Sequence, residues 1–279
     1  MYPVKRFSPN ADPLLIQQYL KADGVVIIEG LAMRQVLDDV LSELPAEAKT
    51  QPETFGLASK SKTFATELMM QPVYLDLVRR ILIDACIIYY EQDRTVSVAE
   101  PQLSQAWSIA AQPGSSGWGL RRQDECHHVK HPAKREADFG ILYAATDITK
   151  ENGAIRVAVG SNNWLDTRDP KPEEETLIEL RKGDALPCTG STFYGQAPNT
   201  TDTPSILLGA FSTPGYLRQQ ENQYLAVPWE VAEKYPLEVQ KFLGYSISRP
   251  YGGSIEHMEP YEYLKVKRDP TKYVCGDII

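Results

Sequence analysis

The chain has 279 residues, 42% of them hydrophobic, enough for one large domain with a substantial core. A net charge of −8 argues against a nucleic-acid partner, and no apolar run approaches the roughly 20 residues of a membrane span. Met1 to Arg6 lead into no hydrophobic signal core, and Cys86, Cys126, Cys188 and Cys275 form no CxxC pair, so reduced thiols in a cytoplasmic protein are expected.

Residues 12–23 read as a helix capped by Asp12, with Pro13 in its first turn and Gly24 as its stop. Val25-Val26-Ile27-Ile28 follows as a short buried strand. Met33 to Leu44 is amphipathic, with Val36, Leu37, Val40, Leu41 and Leu44 on one face. Residues 45–65 read as polar and irregular, and a further helix is expected over 72–84. Strands are expected over 104–112, 138–147, 154–159, 184–189 and 205–213, then helices over Trp229–Tyr235 and Pro236–Leu243. Helices first and many short strands after them fit one domain, 1–279, built as a double-stranded β-helix (a jelly roll) buttressed by helices.

Two segments carry the chemistry. One is Gly119-Leu120-Arg121-Arg122-Gln123-Asp124-Glu125-Cys126-His127-His128; the other is Gly190-Ser191-Thr192-Phe193-Tyr194-Gly195-Gln196-Ala197-Pro198-Asn199. They resemble the iron-binding segments of fungal phytanoyl-CoA-dioxygenase-like oxygenases, Leu-His-Arg-Asp-Asp and Gly-Ser-Thr-Tyr-His-Gly-Gly-Gly-Ala-Asn. The resemblance extends along nearly the whole chain. It includes Thr146-Asp147-Ile148-Thr149-Lys150-Glu151-Asn152-Gly153-Ala154-Ile155-Arg156 and Tyr216-Leu217-Arg218-Gln219-Gln220-Glu221-Asn222-Gln223-Tyr224-Leu225, the second being similar to a run of the meroterpenoid branch.

The resemblance implies a two-His-one-carboxylate iron site, and this chain departs from it at every ligand. Arg121 stands for the first histidine, Gln123 for the aspartate and Tyr194 for the distal histidine. A guanidinium has no lone pair to give and stays charged; an amide oxygen and a protonated phenol are poor substitutes. The positions implied for 2-oxoglutarate are altered too: Trp118 for a glutamine, Ile155 for a threonine, and Ser205 where an arginine would clamp the distal carboxylate. The expectation is a chain with no catalytic residues, no iron and no cosubstrate of its own. Fe(II) and 2-oxoglutarate are then expected only in a homologous catalytic oxygenase, paired with this chain as a heterodimer and receiving its loops at the active site.

Other readings stay open on the residues. Asp124, His128 and His131 are a rival metal set, weighed against a polar loop. Arg121 either binds an anionic ligand or fills the iron position and pairs with a carboxylate such as Asp124. Tyr194 is either a general acid or a packed ring bonded to Gln123. Cys126 and Cys188 read as buried small residues rather than nucleophiles. Tyr245, Tyr251, Tyr261, Tyr263 and Tyr273, with Trp229, are either an interface or a cover over the sandwich. A metal-independent isomerase or cyclase using Tyr194, Asp124 or His127, or a terpenoid carrier, is the alternative function.

Overall fold

The N-terminal helix forms where its signals place it. In the computed structural model, which describes residues 3–268, α1 spans Pro13–Asp23; the Asp12 side chain accepts from the Leu14 amide, and Gly24 at φ 76° closes it. A Cβ at Gly24 would collide with the Thr192 hydroxyl, so the same glycine lets the helix end approach the later segment. β1 (Arg6–Phe7) and β2 (Ile27–Ile28) flank α1, and α2 covers Arg34–Glu43.

The stretch read as irregular holds structure. It contains α3 (Glu47–Thr50), β3 (Glu53–Phe55), α4 (Leu57–Lys60) and a π-helical turn, Phe64–Leu68. These pieces are too short to show a helical or alternating period. α5 (Pro72–Leu82) is capped by Gln71 and stops short of Asp84, which instead opens a hairpin of β4 (Asp84–Tyr90) and β5 (Asp93–Ala99) absent from the sequence reading.

The remaining strands are β6 (Pro101–Ala111), β7 (Trp118–Arg121), β8 (Phe139–Ala144), β9 (Ile155–Ala158), β10 (Glu175–Ile178), β11 (Ala185–Thr189), β12 (Tyr194–Gln196) and β13 (Ser205–Pro214). Short helices α6 (Gln223–Ala226), α7 (Trp229–Ala232), α8 (Leu237–Phe242) and α9 (Pro260–Arg268) follow. A seven-stranded sheet runs β1-β2-β11-β8-β13-β6-β3 and a four-stranded sheet runs β10-β9-β12-β7. This is the jelly-roll arrangement, mixed α and β, that the sequence implies.

Alternation along the central strands divides the core in two. Phe139, Ile141 and Tyr143 of β8 face α1, α2 and α5 in one apolar cluster, while Leu142 and Ala144 face the space between the sheets. Gly140 also faces inward; a Cβ there would sit in the ring of Phe211, so its absence lets that ring fill the barrel. Trp229 and Tyr245 are buried, 5.3 Å apart between ring centroids, and the Tyr245 hydroxyl donates to the Val227 carbonyl. The aromatic C-terminal segment is therefore in part a cover over the core, whereas Tyr251 is exposed and Tyr273 and Cys275 lie outside the described residues. No helix of the described residues is long and apolar enough to cross a membrane.

Candidate functional site

β7 and β12 pair antiparallel and bring Arg121 opposite Tyr194. Gln123 opens a 3-10 turn directly after β7 and is buried. The three positions implied as ligands therefore do meet. The Tyr194 hydroxyl donates to Gln123 Oε1 at 2.5 Å, the bond considered from sequence. Gln123 Nε2 donates to Gln105 Oε1 at 3.0 Å and to Gln220 Oε1 at 2.5 Å. Four neutral side chains thus hydrogen-bond to one another, three of them buried in the barrel and Gln220 at its exposed edge.

The aromatic ring of Tyr194 is equally committed. It is 2% exposed, stacks near Phe211 and meets Trp118 edge-on at 5.3 Å. Burial holds its phenol well above the ordinary range, so it neither ionises nor offers an anionic ligand. Tyr194→Phe is expected to lower stability by about 1–3 kcal/mol, the cost of leaving a buried acceptor on Gln123 unpaired; urea unfolding measures it, and an unchanged midpoint would show that the bond contributes nothing.

Arg121 does not pair with Asp124. Its guanidinium lies over the rings of Trp118 at 4.7 Å and Trp107 at 5.6 Å, and reaches Glu53 at 3.8 Å. β3, which presents Glu53, was not foreseen, and its carboxylate is the nearer partner. Asp124 is fully buried and bonds to His131 Nε2 at 2.9 Å; His131 Nδ1 meets Asp166 at 2.7 Å. His128 is exposed, so the rival set of Asp124, His128 and His131 does not assemble. Among the described residues no group of three His, Cys, Asp or Glu is placed to hold a metal ion.

Trp118, Gln196 and Ile155 stand in register across β7, β12 and β9. Ser205, at the start of β13, spends its hydroxyl on the Asn152 carbonyl at 2.6 Å. A dicarboxylate cosubstrate would meet the Ile155 hydrocarbon side chain and the neutral Trp118 Nε1 and Gln196 Nε2 donors, which have no hydrogen-bond partner among the described residues, in place of the guanidinium that the resemblance implies. The donor set Arg121, Gln123 and Tyr194 fits an iron centre no better, since it supplies a cation and two neutral oxygens already hydrogen-bonded to each other.

Of the nucleophile candidates, Cys188 is buried with its thiol pushed up by burial. Cys126 is exposed rather than buried; its Sγ contacts the Gln123 carbonyl at 3.6 Å, and partial burial of the thiol pushes it up to about 11. His127 contacts the Thr213 hydroxyl at 3.3 Å and is held below its ordinary range by burial.

Sequence reading missed Gln105 and Gln220, which complete the amide cluster. The inward period of β6, Gln105-Trp107-Ile109-Ala111, would have placed the first. It also missed Asp138, two residues before Gly140 on the same inward face. That carboxyl is fully buried with neither oxygen hydrogen-bonded to another described residue. Burial, then the nearby Asp124 and Glu136, holds it well above the ordinary carboxyl range.

The model of the Phytanoyl-CoA dioxygenase (PhyH) family matches residues 20–205. The chain belongs to the phytanoyl-CoA dioxygenase family. A dioxygenase of Penicillium patulum, peniF, is 30% identical over 261 residues, covering 86% of this chain and 85% of that protein. A Penicillium expansum dioxygenase, cnsJ, is 28% identical over 263 residues, covering 86% and 79%. Among solved structures, the epimerase SnoN in complex with Fe3+, alpha ketoglutarate and nogalamycin RO aligns with a TM-score of 0.55 at 15% identity, over 76% of this chain and 88% of that one. That last likeness shows the fold. Within the family fold, this barrel buries a glutamine and a tyrosine at two of the implied ligand positions and carries an exposed arginine at the third.

Proposed function

We propose that this phytanoyl-CoA dioxygenase family member is a degenerate subunit that binds no iron and supports an active Fe(II)/2-oxoglutarate oxygenase in fungal terpenoid (meroterpenoid) biosynthesis. The observation that carries the reading is the hydrogen-bonded set Tyr194, Gln123, Gln105 and Gln220, closed on itself where the resemblance implies a metal. Such a set stabilises the barrel without a cation, so the scaffold outlasts the chemistry. Trp118, Ile155 and Ser205 extend the same loss to the cosubstrate positions. The cofactors are then the partner's, and the chain's contribution is its fold and the loops it can present to the partner's substrate pocket.

Coexpression with an iron-competent homologue from the same biosynthetic locus tests the reading. The pair is expected to copurify, and the oxygenase is expected to gain solubility or turnover. Ligand-position mutations in the oxygenase should abolish product, while Tyr194→Phe in this chain should leave most of it. An oxygenase whose yield and rate ignore this chain would refute the pairing. Turnover of a terpenoid by this chain alone would move the reading to a metal-independent isomerase or cyclase.

A further inference from the structure

A cleft of about 520 Å³ lies between the C-terminal ends of α1 and α5, the 133–136 loop and the turn after β9. None of Arg121, Gln123 and Tyr194 lines it; Leu20, Ile81, Leu82, Ile83 and Ala133 supply its apolar wall. That volume suits a compact organic molecule. Most of the polar groups in the lining are already spent. Arg80 pairs with Asp76 at 2.6 Å. One Asp84 oxygen accepts from the Ala85 amide, and the other accepts from Arg135 and the Tyr216 hydroxyl. Asn162 and Asn163 donate to the Lys21 and Ala22 carbonyls at 3.0 and 3.1 Å, closing the end of α1. The Thr189 hydroxyl bonds to that of Thr192 at 2.8 Å.

Three charged groups of the lining remain available: Lys21, Lys134 and Glu136. The two lysines are exposed and have no ion pair among the described residues. Lys21 stands in the last turn of α1, where its charge also suits the helix end; Lys134, in a loop, has no helix end to serve. Glu136 is partly buried. Its Oε1 accepts from the Ser191 hydroxyl at 2.6 Å, and its Oε2 accepts only from the Ser191 amide at 3.3 Å. The carboxyl is thus held in place with bonding capacity left on Oε2. Burial pushes it up to about 7, so near neutral pH it is present both as a donor and as an acceptor. A carboxyl perturbed in this way on the wall of a cleft marks a candidate ligand site.

We propose that this cleft binds an amphiphilic hydroxy acid, its compact apolar skeleton against Leu20, Ile81 and Ile83, its carboxylate on Lys21 and Lys134, and a hydroxyl on Glu136. A plain hydrocarbon would leave both lysines and Glu136 unused. A polyanion such as a diphosphate would set extra negative charge against Glu136 and Asp84. A single carboxylate answers the two ammonium groups without that cost. The site lies outside the barrel centre and needs neither iron nor a partner, so it stands apart from the pairing with an oxygenase.

Cholate, an apolar ring system bearing hydroxyls and one carboxylate, is the probe. Calorimetry of the full chain, with cholate below its micellar concentration, is expected to show one site with a Kd of about 100 μM or tighter, weakening as salt rises. Lys21→Ala with Lys134→Ala should weaken binding about tenfold or more, the size of a lost charge-assisted contact. The methyl ester of cholate should bind the wild-type chain comparably weakly. The preference for cholate over cholanic acid, which lacks the hydroxyls, should shrink about fivefold or more in Glu136→Ala. Thermal melting of each variant near the wild-type midpoint rules out misfolding; if Glu136→Ala melts early, the lysine variant and the ester still decide. No binding of cholate overturns the proposal, as does an affinity indifferent to both the lysine variant and esterification. An affinity lost in Trp118→Ala and kept in the lysine variant would place the ligand in the barrel and overturn it too. The lysine variant should still copurify with the oxygenase, so failure of this site and failure of that pairing are read separately.

Discussion

The purified chain is expected to take up no Fe(II) and no 2-oxoglutarate in anaerobic calorimetry, at any affinity tighter than about 10 μM, near −7 kcal/mol. Arg121 carries a fixed positive charge and is already held between two indoles and Glu53. Gln123 and Tyr194 are not idle donors awaiting a metal; each satisfies the other. Restoring the triad with Arg121→His, Gln123→Asp and Tyr194→His should still yield no succinate. The new carboxylate would lie within reach of the Gln105 and Gln220 amides in place of a ligand-free cavity. Ile155 offers no donor, and the Ser205 hydroxyl is committed to Asn152. The second lesion therefore persists after the first is repaired. Stoichiometric binding by the wild-type chain would refute the metal-free reading, and succinate formation by the triple variant would show the cosubstrate positions to be intact.

How far the sequence reached follows from what each element depends on. α1 was readable because Asp12, Pro13 and Gly24 are local signals, and β6, β8, β11 and β13 because they are long or fully buried apolar runs. β3, β7, β10 and β12 are short, and partners across the sheet hold them rather than propensity. The hairpin at 84–99 escaped because Asp84 looked like a helix end and its apolar residues face outward. At the site, the resemblance to the family's two iron-binding segments brought Arg121, Gln123 and Tyr194 together. The destination of Arg121 was not readable, since Glu53 is far away in sequence and reaches it only through the pairing of β3 with β6. Asp138 and Gln105 were hidden for the same reason: an inward position becomes chemistry only once the opposing strands are known.

Stability is expected to respond to Asp138 and Glu136 as pH rises. Asp138 is fully buried and held well above the ordinary carboxyl range; burial pushes the Glu136 carboxyl, bonded to the Ser191 hydroxyl at 2.6 Å, up to about 7. Unfolded, both would lose their protons near pH 4. Above that pH the folded chain therefore binds more protons than the unfolded one. Stability must then fall with rising pH, by about 1.4 kcal/mol per pH unit for each retained proton, until the folded group itself ionises. For Glu136 that window closes near pH 7; for Asp138 it starts at the same acidic end and is set by its raised value. The lowered carboxyls of Asp166 and Glu43 act in more acidic solution, where stability is lost as pH falls through their depressed values. His127, held below its ordinary range, has the opposite sign up to about pH 6.5, the unfolded value. The difference between wild type and Asp138→Asn is therefore the cleaner readout. That variant keeps the shape and cannot ionise, so it should melt at nearly the wild-type temperature around pH 4 and progressively higher than wild type towards pH 8. For a chain of this size each 1 kcal/mol is roughly 2–4 °C. Parallel melting curves for the two proteins across that range would mean that Asp138 ionises freely in the folded state, through a path to water that its burial does not provide.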